Sequence, residues 1–265
     1  MILARTRGFK YFLTQLLAGF PPTRLIGDFF FRTLNSKFIR ESTAIFAGIH
    51  TNQLWAERAE SFESLIRTRV ELPHVRVLEI GSWFGSGSTR IILKHLSKSG
   101  SFYSVDAYSA KGYLGSSSHV SSSAKRMRRQ TLSAWISSSI ILFKAQKKLP
   151  DANIVQIRAD SSELSNLLNP NLKFDLIYID GSHIYSHVVK DLQFALQFIK
   201  KGGVICGDDL DLGLDVDLLE LAKENINADL VVLDDGQAFH PGVLLAVSEK
   251  FKSVNSLSGF WWVAD

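Results

Sequence analysis

Three carboxylates and an imidazole fall in two short stretches, Asp180-Gly181-Ser182-His183 and Asp208-Asp209, each at the end of an apolar, β-branched run. If those runs are neighbouring strands, Asp180, Asp208 and Asp209 converge at the sheet edge where open α/β folds bind ligands. Three anions in one crevice repel. Either some are protonated or a cation neutralises them, and an all-oxygen set without cysteine suits Mg²⁺ or another hard divalent ion. The plainer alternative leaves Asp208 and Asp209 as exposed turn residues. His183 is expected to begin the next helix, where the helix dipole keeps an imidazole available as a base near neutral pH, while nearby carboxylates push the other way. A bound metal would cancel those charges and polarise a substrate hydroxyl, making proton removal and group transfer to oxygen one task. Otherwise His183 caps the helix or packs on a cofactor. His187, one turn on, is expected to face solvent or the cofactor's adenosine.

The stretch Glu79-Ile80-Gly81-Ser82-Trp83-Phe84-Gly85-Ser86-Gly87-Ser88 follows a predicted strand and opens a predicted helix, which makes its glycines a nucleotide-site hypothesis. Their spacing is compatible with a nicotinamide dinucleotide, as it resembles short-chain dehydrogenases, and with S-adenosylmethionine, as it resembles class I methyltransferases. The dehydrogenase resemblance requires a Tyr followed four positions later by a Lys, and none of the six tyrosines has one. The methyltransferase resemblance requires acids ending the first two strands, and Glu79 and Asp106 are in place. S-adenosylmethionine carries an α-ammonium, a sulfonium and a ribose diol, which call for carboxylates; a pyrophosphate calls for the opposite sign. Gly81, Ser82, Gly85, Gly87 and Ser88 are therefore expected to cradle the cofactor, with Glu79, Asp106 and Asp180 supplying its acids. Asp160-Ser161 resembles the pair that contacts adenine; Asp160-Ser161-Ser162-Glu163 also has the pattern of a capping box, and the two roles are compatible.

From Val75 to Asp209, about half the chain, the sequence resembles a class I S-adenosylmethionine-dependent methyltransferase. More narrowly, Tyr178-Ile179-Asp180-Gly181-Ser182-His183-Ile184-Tyr185 with Gly202-Gly203-Val204-Ile205-Cys206-Gly207-Asp208-Asp209 resembles the macrocin O-methyltransferase and cephalosporin hydroxylase-like group. That resemblance implies Mg²⁺ on Asp180, Asp208 and Asp209, His183 as base, and a hydroxyl of a small molecule or sugar as acceptor. One departure is Asp208, where macrocin-type enzymes have Glu. The alternatives are a nicotinamide oxidoreductase and a non-catalytic scaffold that keeps the fold.

These residues need a frame to hold them. From Pro73 onward, short β-branched runs (75–80, 101–106, 153–160, 174–180 and 203–206) alternate with helical stretches. That alternation implies right-handed βαβ units and a doubly wound, mostly parallel sheet of Rossmann-like methyltransferase type. In the helix after the fourth run, Val188, Leu192, Ala195, Leu196 and Ile199 share one face, and Gly202-Gly203 is expected to stop it. Beyond Asp209, helices are expected near 217–225 and 243–251, an apolar run at 230–233 and a last strand at 260–263. Residues 1–72 read as a helical extension, with a helix over 52–69, and 73–265 as the catalytic domain.

The 265 residues carry a net charge of +4, and the single cysteine, Cys206, rules out an internal disulfide or a Cys-rich metal centre. A reducing, cytoplasmic setting is expected. No run reaches the roughly 18 apolar residues of a spanning helix, and no small-x-small cleavage site follows the apolar stretch 11–20. Lys125, Arg126, Arg128 and Arg129 lack an interleaved aromatic ladder, so they read as a solvated helix face rather than a nucleic-acid surface. The apolar face of residues 1–31 has three readings, in order: packing on the catalytic domain, a homo-oligomer interface, or shallow membrane-surface contact. The segment 112–123, with the Ser-rich tract at 115–123, is a candidate lid. A substrate role for His240 has no support in the sequence.

Overall fold

The computed structural model describes residues 56–109, 120–215 and 217–264. The expectations for residues 1–31 and for most of the 112–123 segment lie outside the described residues.

In chain order the elements are α1 (Ala56–Val70), β1 (Arg76–Ile80), α2 (Ser88–His95), β2 (Ser101–Val105), α3 (Val120–Lys148), β3 (Asn153–Ile157), α4 (Leu164–Leu167), β4 (Phe174–Ile179), α5 (Tyr185–Phe198) and β5 (Ile199–Leu210). Then follow α6 (Leu218–Glu224), β6 (Val231–Val232), β7 (Ala238–Phe239), α7 (Pro241–Lys250), β8 (Asn255–Leu257) and β9 (Gly259–Ala264). Seven strands form one sheet in the order β3-β2-β1-β4-β5-β9-β8, in which β1 to β5 are parallel and β9 and β8 antiparallel. The order reverses between β1 and β4, and a doubly wound sheet opens its ligand crevice at that point.

The central strands are apolar on both sides because both faces are covered. One face packs Phe62, Ile66 and Val70 of α1 with Leu176, Tyr178, Val204, Cys206 and Phe260. The other packs Val188, Leu192 and Ala195 of α5 and Val243 to Val247 of α7 against Ile177, Ile179 and Ile205. Helix α1, which the sequence assigns to the extension, packs on the sheet through these residues.

Two local expectations and one alternative are corrected. Helix α5 ends at Phe198, before the glycines, because Ile199 turns extended and pairs with Phe174. Leu196 is 41% exposed, and Phe194 and Phe198 take its place in the core. Asp208 and Asp209 are no turn: between the pairs Gly207↔Trp261 and Leu210↔Gly259, β5 has two residues where β9 has one. Such a bulge re-aims side chains, and Asp209 sits in it at φ 67, a left-handed conformation that few non-glycine residues adopt.

Candidate active site

The C-terminal edge of the parallel strands carries the residues in question. Gly81 follows β1, Asp106 follows β2 and Asp180 follows β4. Gly81 has φ 91, and a Cβ there would lie 1.9 Å from the Asp180 carbonyl oxygen, so only glycine lets the loop pass this close to β4.

Two cavities meet at Gly81 and Ser82. The smaller, about 280 Å³, is lined by Asp106, Asp160, Ser161, His187 and Asp191. The larger, about 710 Å³, is lined by Ser86, Gly87, Ser88, Asp180, His183, Asp208, Asp209 and His240. Asp106 accepts hydrogen bonds from the backbone N–H groups of Trp83 and Tyr108 at 2.8 and 2.7 Å, tying β2 to the glycine loop. Burial raises its pKa against the pull of those donors. Asp160 forms the anticipated capping box with Glu163 and also lines the smaller cavity.

Two residues expected at the cofactor sit elsewhere. Glu79 is fully buried and accepts from the Ser88 and Thr89 hydroxyls at 2.7 Å each, pinning the start of α2. Gly85 packs against Ser138 of α3. Both hold the loop in shape and line neither cavity.

Around the acidic pair a cation is already in place. Arg58 of α1 donates to Asp208 Oδ1 at 2.7 Å and Asp209 Oδ1 at 3.0 Å, pairs with Asp211, and donates through Nε to the Ser258 carbonyl at 2.6 Å. Burial opposes its charge, but the fields of the three aspartates outweigh that and raise its pKa. Asp208, buried beside Asp209, is pushed up to about 6 despite Arg58. Asp180 is raised well above the usual carboxylate range by burial and by the charges of Asp208 and Asp209, and Tyr178 donates to it at 3.3 Å.

His183 lies two residues before α5, on the loop, so it is not the first helical residue expected. Its Nε2 meets Asp209 Oδ2 at 2.9 Å and its Nδ1 meets Asp229 Oδ1 at 3.0 Å. Burial works against the imidazolium, yet these two carboxylates override burial and hold the pKa well above its ordinary value. Any helix-dipole effect of the expected kind is outweighed. His240, the N-cap residue of α7, stands with its ring 4.2 Å from that of His183 and its Nδ1 2.8 Å from Asp211 Oδ2.

With this geometry in view, the profile of the family described as "Methyltransferase domain" matches residues 78–210, just over half of the chain. The chain belongs to this methyltransferase family. The match runs from the strand before the glycine loop to the acidic bulge, and the sheet and its class I, Rossmann-like frame agree with it. The methyltransferase is similar in fold to the O-methyltransferase TomG from Streptomyces achromogenes, solved in complex with SAM (TM-score 0.53, 14% identity, 86% of this chain and 88% of that one). It is also similar to the O-methyltransferase from Bacillus cereus in complex with SAH (TM-score 0.45, 16% identity, 91% and 97%). No curated protein matches the chain. Among the described residues, no helix is long and apolar enough to cross a membrane.

The residues present fit S-adenosylmethionine. Among the described residues, Ser86 Oγ is buried without a hydrogen-bond partner in the loop that lines the larger cavity, a polar atom placed for a ligand. They do not fit Mg²⁺ on Asp180, Asp208 and Asp209. Mg²⁺ demands a near-octahedral oxygen shell, and the Arg58 guanidinium already occupies one oxygen each of Asp208 and Asp209. Arg58, Asp211 and Asp229 escaped sequence reasoning because they lie outside the motifs. The one available hint was the spacing of Asp211 two residues after Asp209.

Proposed function

We propose that the protein transfers the methyl group of S-adenosylmethionine to a hydroxyl of a small molecule or sugar. The junction of the two cavities at Gly81 and Ser82 carries this reading, because it joins an adenosine-sized pocket to a chamber holding carboxylates and imidazoles. In this reading Asp106 accepts from the ribose hydroxyls, and Asp160 and Ser161 lie beside the adenine. Ser82, Ser86, Gly87 and Ser88 hold the methionine moiety, with Asp180 as the acid nearest its ammonium. Glu79 and Gly85 act as positioning residues. The cofactor supplies an electrophilic methyl on a sulfonium. The chain's own contribution is to hold the acceptor oxygen in line with that methyl and to receive its proton. His183 is the base in this reading, acting in its deprotonated form with Asp229 fixing the ring through Nδ1, and the two carboxylates that favour its imidazolium make that form prevail only at raised pH. TomG, whose fold this chain shares, is an O-methyltransferase, which accords with an oxygen acceptor. A cytoplasmic enzyme is part of the same reading, in keeping with the buried free thiol of Cys206.

The missing Tyr/Lys pair and the acid-lined crevice disfavour a nicotinamide oxidoreductase. Calorimetry with S-adenosylmethionine and with NAD, each with and without Mg²⁺, tests the assignment. We expect S-adenosylmethionine to bind with an affinity Mg²⁺ leaves unchanged, and NAD not to bind. Binding of NAD alone would overturn the proposal.

A further inference from the structure

We propose that His183, Asp209 and His240 form a site for a transition-metal ion of the Zn²⁺, Co²⁺ or Fe²⁺ class, which differs in metal from the Mg²⁺ site that the resemblance implies and shares only Asp209 with it. The inference goes beyond methyl transfer and stands on the geometry of these residues. One donor atom from each of the three lies within 4.8 Å of the others. They come from three separate places in the fold: the loop after β4, the bulge of β5 and the N-cap of α7.

Two of the three donors already touch. His183 Nε2 and Asp209 Oδ2 are 2.9 Å apart. Two donors about a tetrahedral ion, with bonds of about 2.1 Å, stand about 3.4 Å from each other, so a shift of about half an ångström opens this contact to an ion. Each imidazole is also oriented by a carboxylate on its far side, Asp229 Oδ1 at 3.0 Å from His183 Nδ1 and Asp211 Oδ2 at 2.8 Å from His240 Nδ1. With the protons on Nδ1, both Nε2 lone pairs are left for a metal, which is the carboxylate–histidine–metal arrangement of known centres.

Arg58 separates the roles of the two Asp209 oxygens. It takes Oδ1 and leaves Oδ2 turned to His183. An ion would then replace the proton shared by His183 and Asp209 without displacing the guanidinium. Two nitrogens and one oxygen select a borderline transition metal over Mg²⁺, which favours oxygen alone. Three protein donors also leave open positions, and all three residues line the larger cavity.

The test uses tag-free, full-length protein stripped with a chelator and titrated with Co²⁺, following visible absorption. We expect one equivalent to bind, to be displaced by Zn²⁺, and to be undisturbed by an approximately thousandfold excess of Mg²⁺. His240→Ala should weaken Co²⁺ binding about 100-fold or more, and Asp211→Asn, which keeps all three donors, about tenfold. Circular dichroism checks the fold of each variant, and if His240→Ala fails to fold, Asp211→Asn and the Mg²⁺ competition decide. Absence of Co²⁺ binding, displacement by equimolar Mg²⁺, or unchanged affinity in the folded variants would overturn the site. S-adenosylmethionine calorimetry on the same samples separates the two proposals, since loss of cofactor binding with Co²⁺ binding intact sinks only the methyltransferase reading.

Discussion

Glu79 shows how one buried acid shapes the cofactor loop. Its carboxyl is fully buried under the start of α2, and burial pushes its pKa from 4.5 up to about 7, against the Thr89 and Ser88 hydroxyls that favour the charged form. An unfolded chain ionises this group from pH 4.5 upward while the folded protein keeps it protonated until about pH 7. Between those values the native state binds the extra proton. Its stabilising contribution is therefore complete below pH 4.5 and is lost as pH rises through 7. The loss is on the order of 3 kcal/mol. Glu79→Gln cannot ionise, so urea unfolding across this window should show a shallower decline with pH than the parent; identical slopes would contradict the assignment. The acids at the strand ends were legible because strand patterning alone places them there. Whether an acid faces a ligand or a neighbouring helix was not: Glu79 pairs with Ser104, two residues before Asp106, and there the start of α2 covers it. Arg58 was equally hidden: it meets Asp208 across 150 positions, and no local pattern encodes that contact.

At the scale of elements, the site depends on two backbones touching. Gly242, in the first turn of α7, lies so close to the loop after β4 that a Cβ would stand 2.2 Å from the His183 carbonyl oxygen and 2.4 Å from the Tyr185 nitrogen. That contact sets the spacing between His183 and His240. Gly242→Ala must move one segment, at a cost of about 1–3 kcal/mol, and should weaken any function that needs both imidazoles. Gly202→Ala is the control. Gly202 has φ 74 with nothing within 4 Å, so the substitution strains the backbone by about 1 kcal/mol and leaves the site alone. Equal effects of the two variants on methyl transfer would show that the α7 contact does not matter. The five parallel strands were readable from alternating runs and helical periods. The β8–β9 hairpin was not, because β8 spans only Asn255–Leu257, is exposed throughout and has no apolar alternation to betray it. The bulge that aims Asp208 and Asp209 was invisible for a related reason: it is set by pairing with β9, across the chain, and not by the residues it displaces.

For the molecule as a whole, the question is where the catalytic unit begins. The change of texture near Pro73 suggested a helical extension over 1–72, and the α1 part of it lies against the sheet with Phe62, Ile66 and Val70 completely buried. Burying three such side chains contributes about 5–9 kcal/mol, comparable to the total stability of an ordinary domain. Removing α1 also removes Arg58 and leaves Asp208, Asp209 and Asp211 without the cation that pairs all three. Net charge concealed this, because an excess of +4 over the whole chain says nothing about a crevice where acids gather at strand ends. A fragment of residues 73–265 is therefore expected to expose the face of Leu176, Tyr178, Val204 and Phe260, to lack a cooperative thermal transition by circular dichroism, and to lose S-adenosylmethionine binding. A fragment that melts at the full-length temperature would restore the boundary at 72/73. It would also show that the acidic bulge holds its shape without the guanidinium.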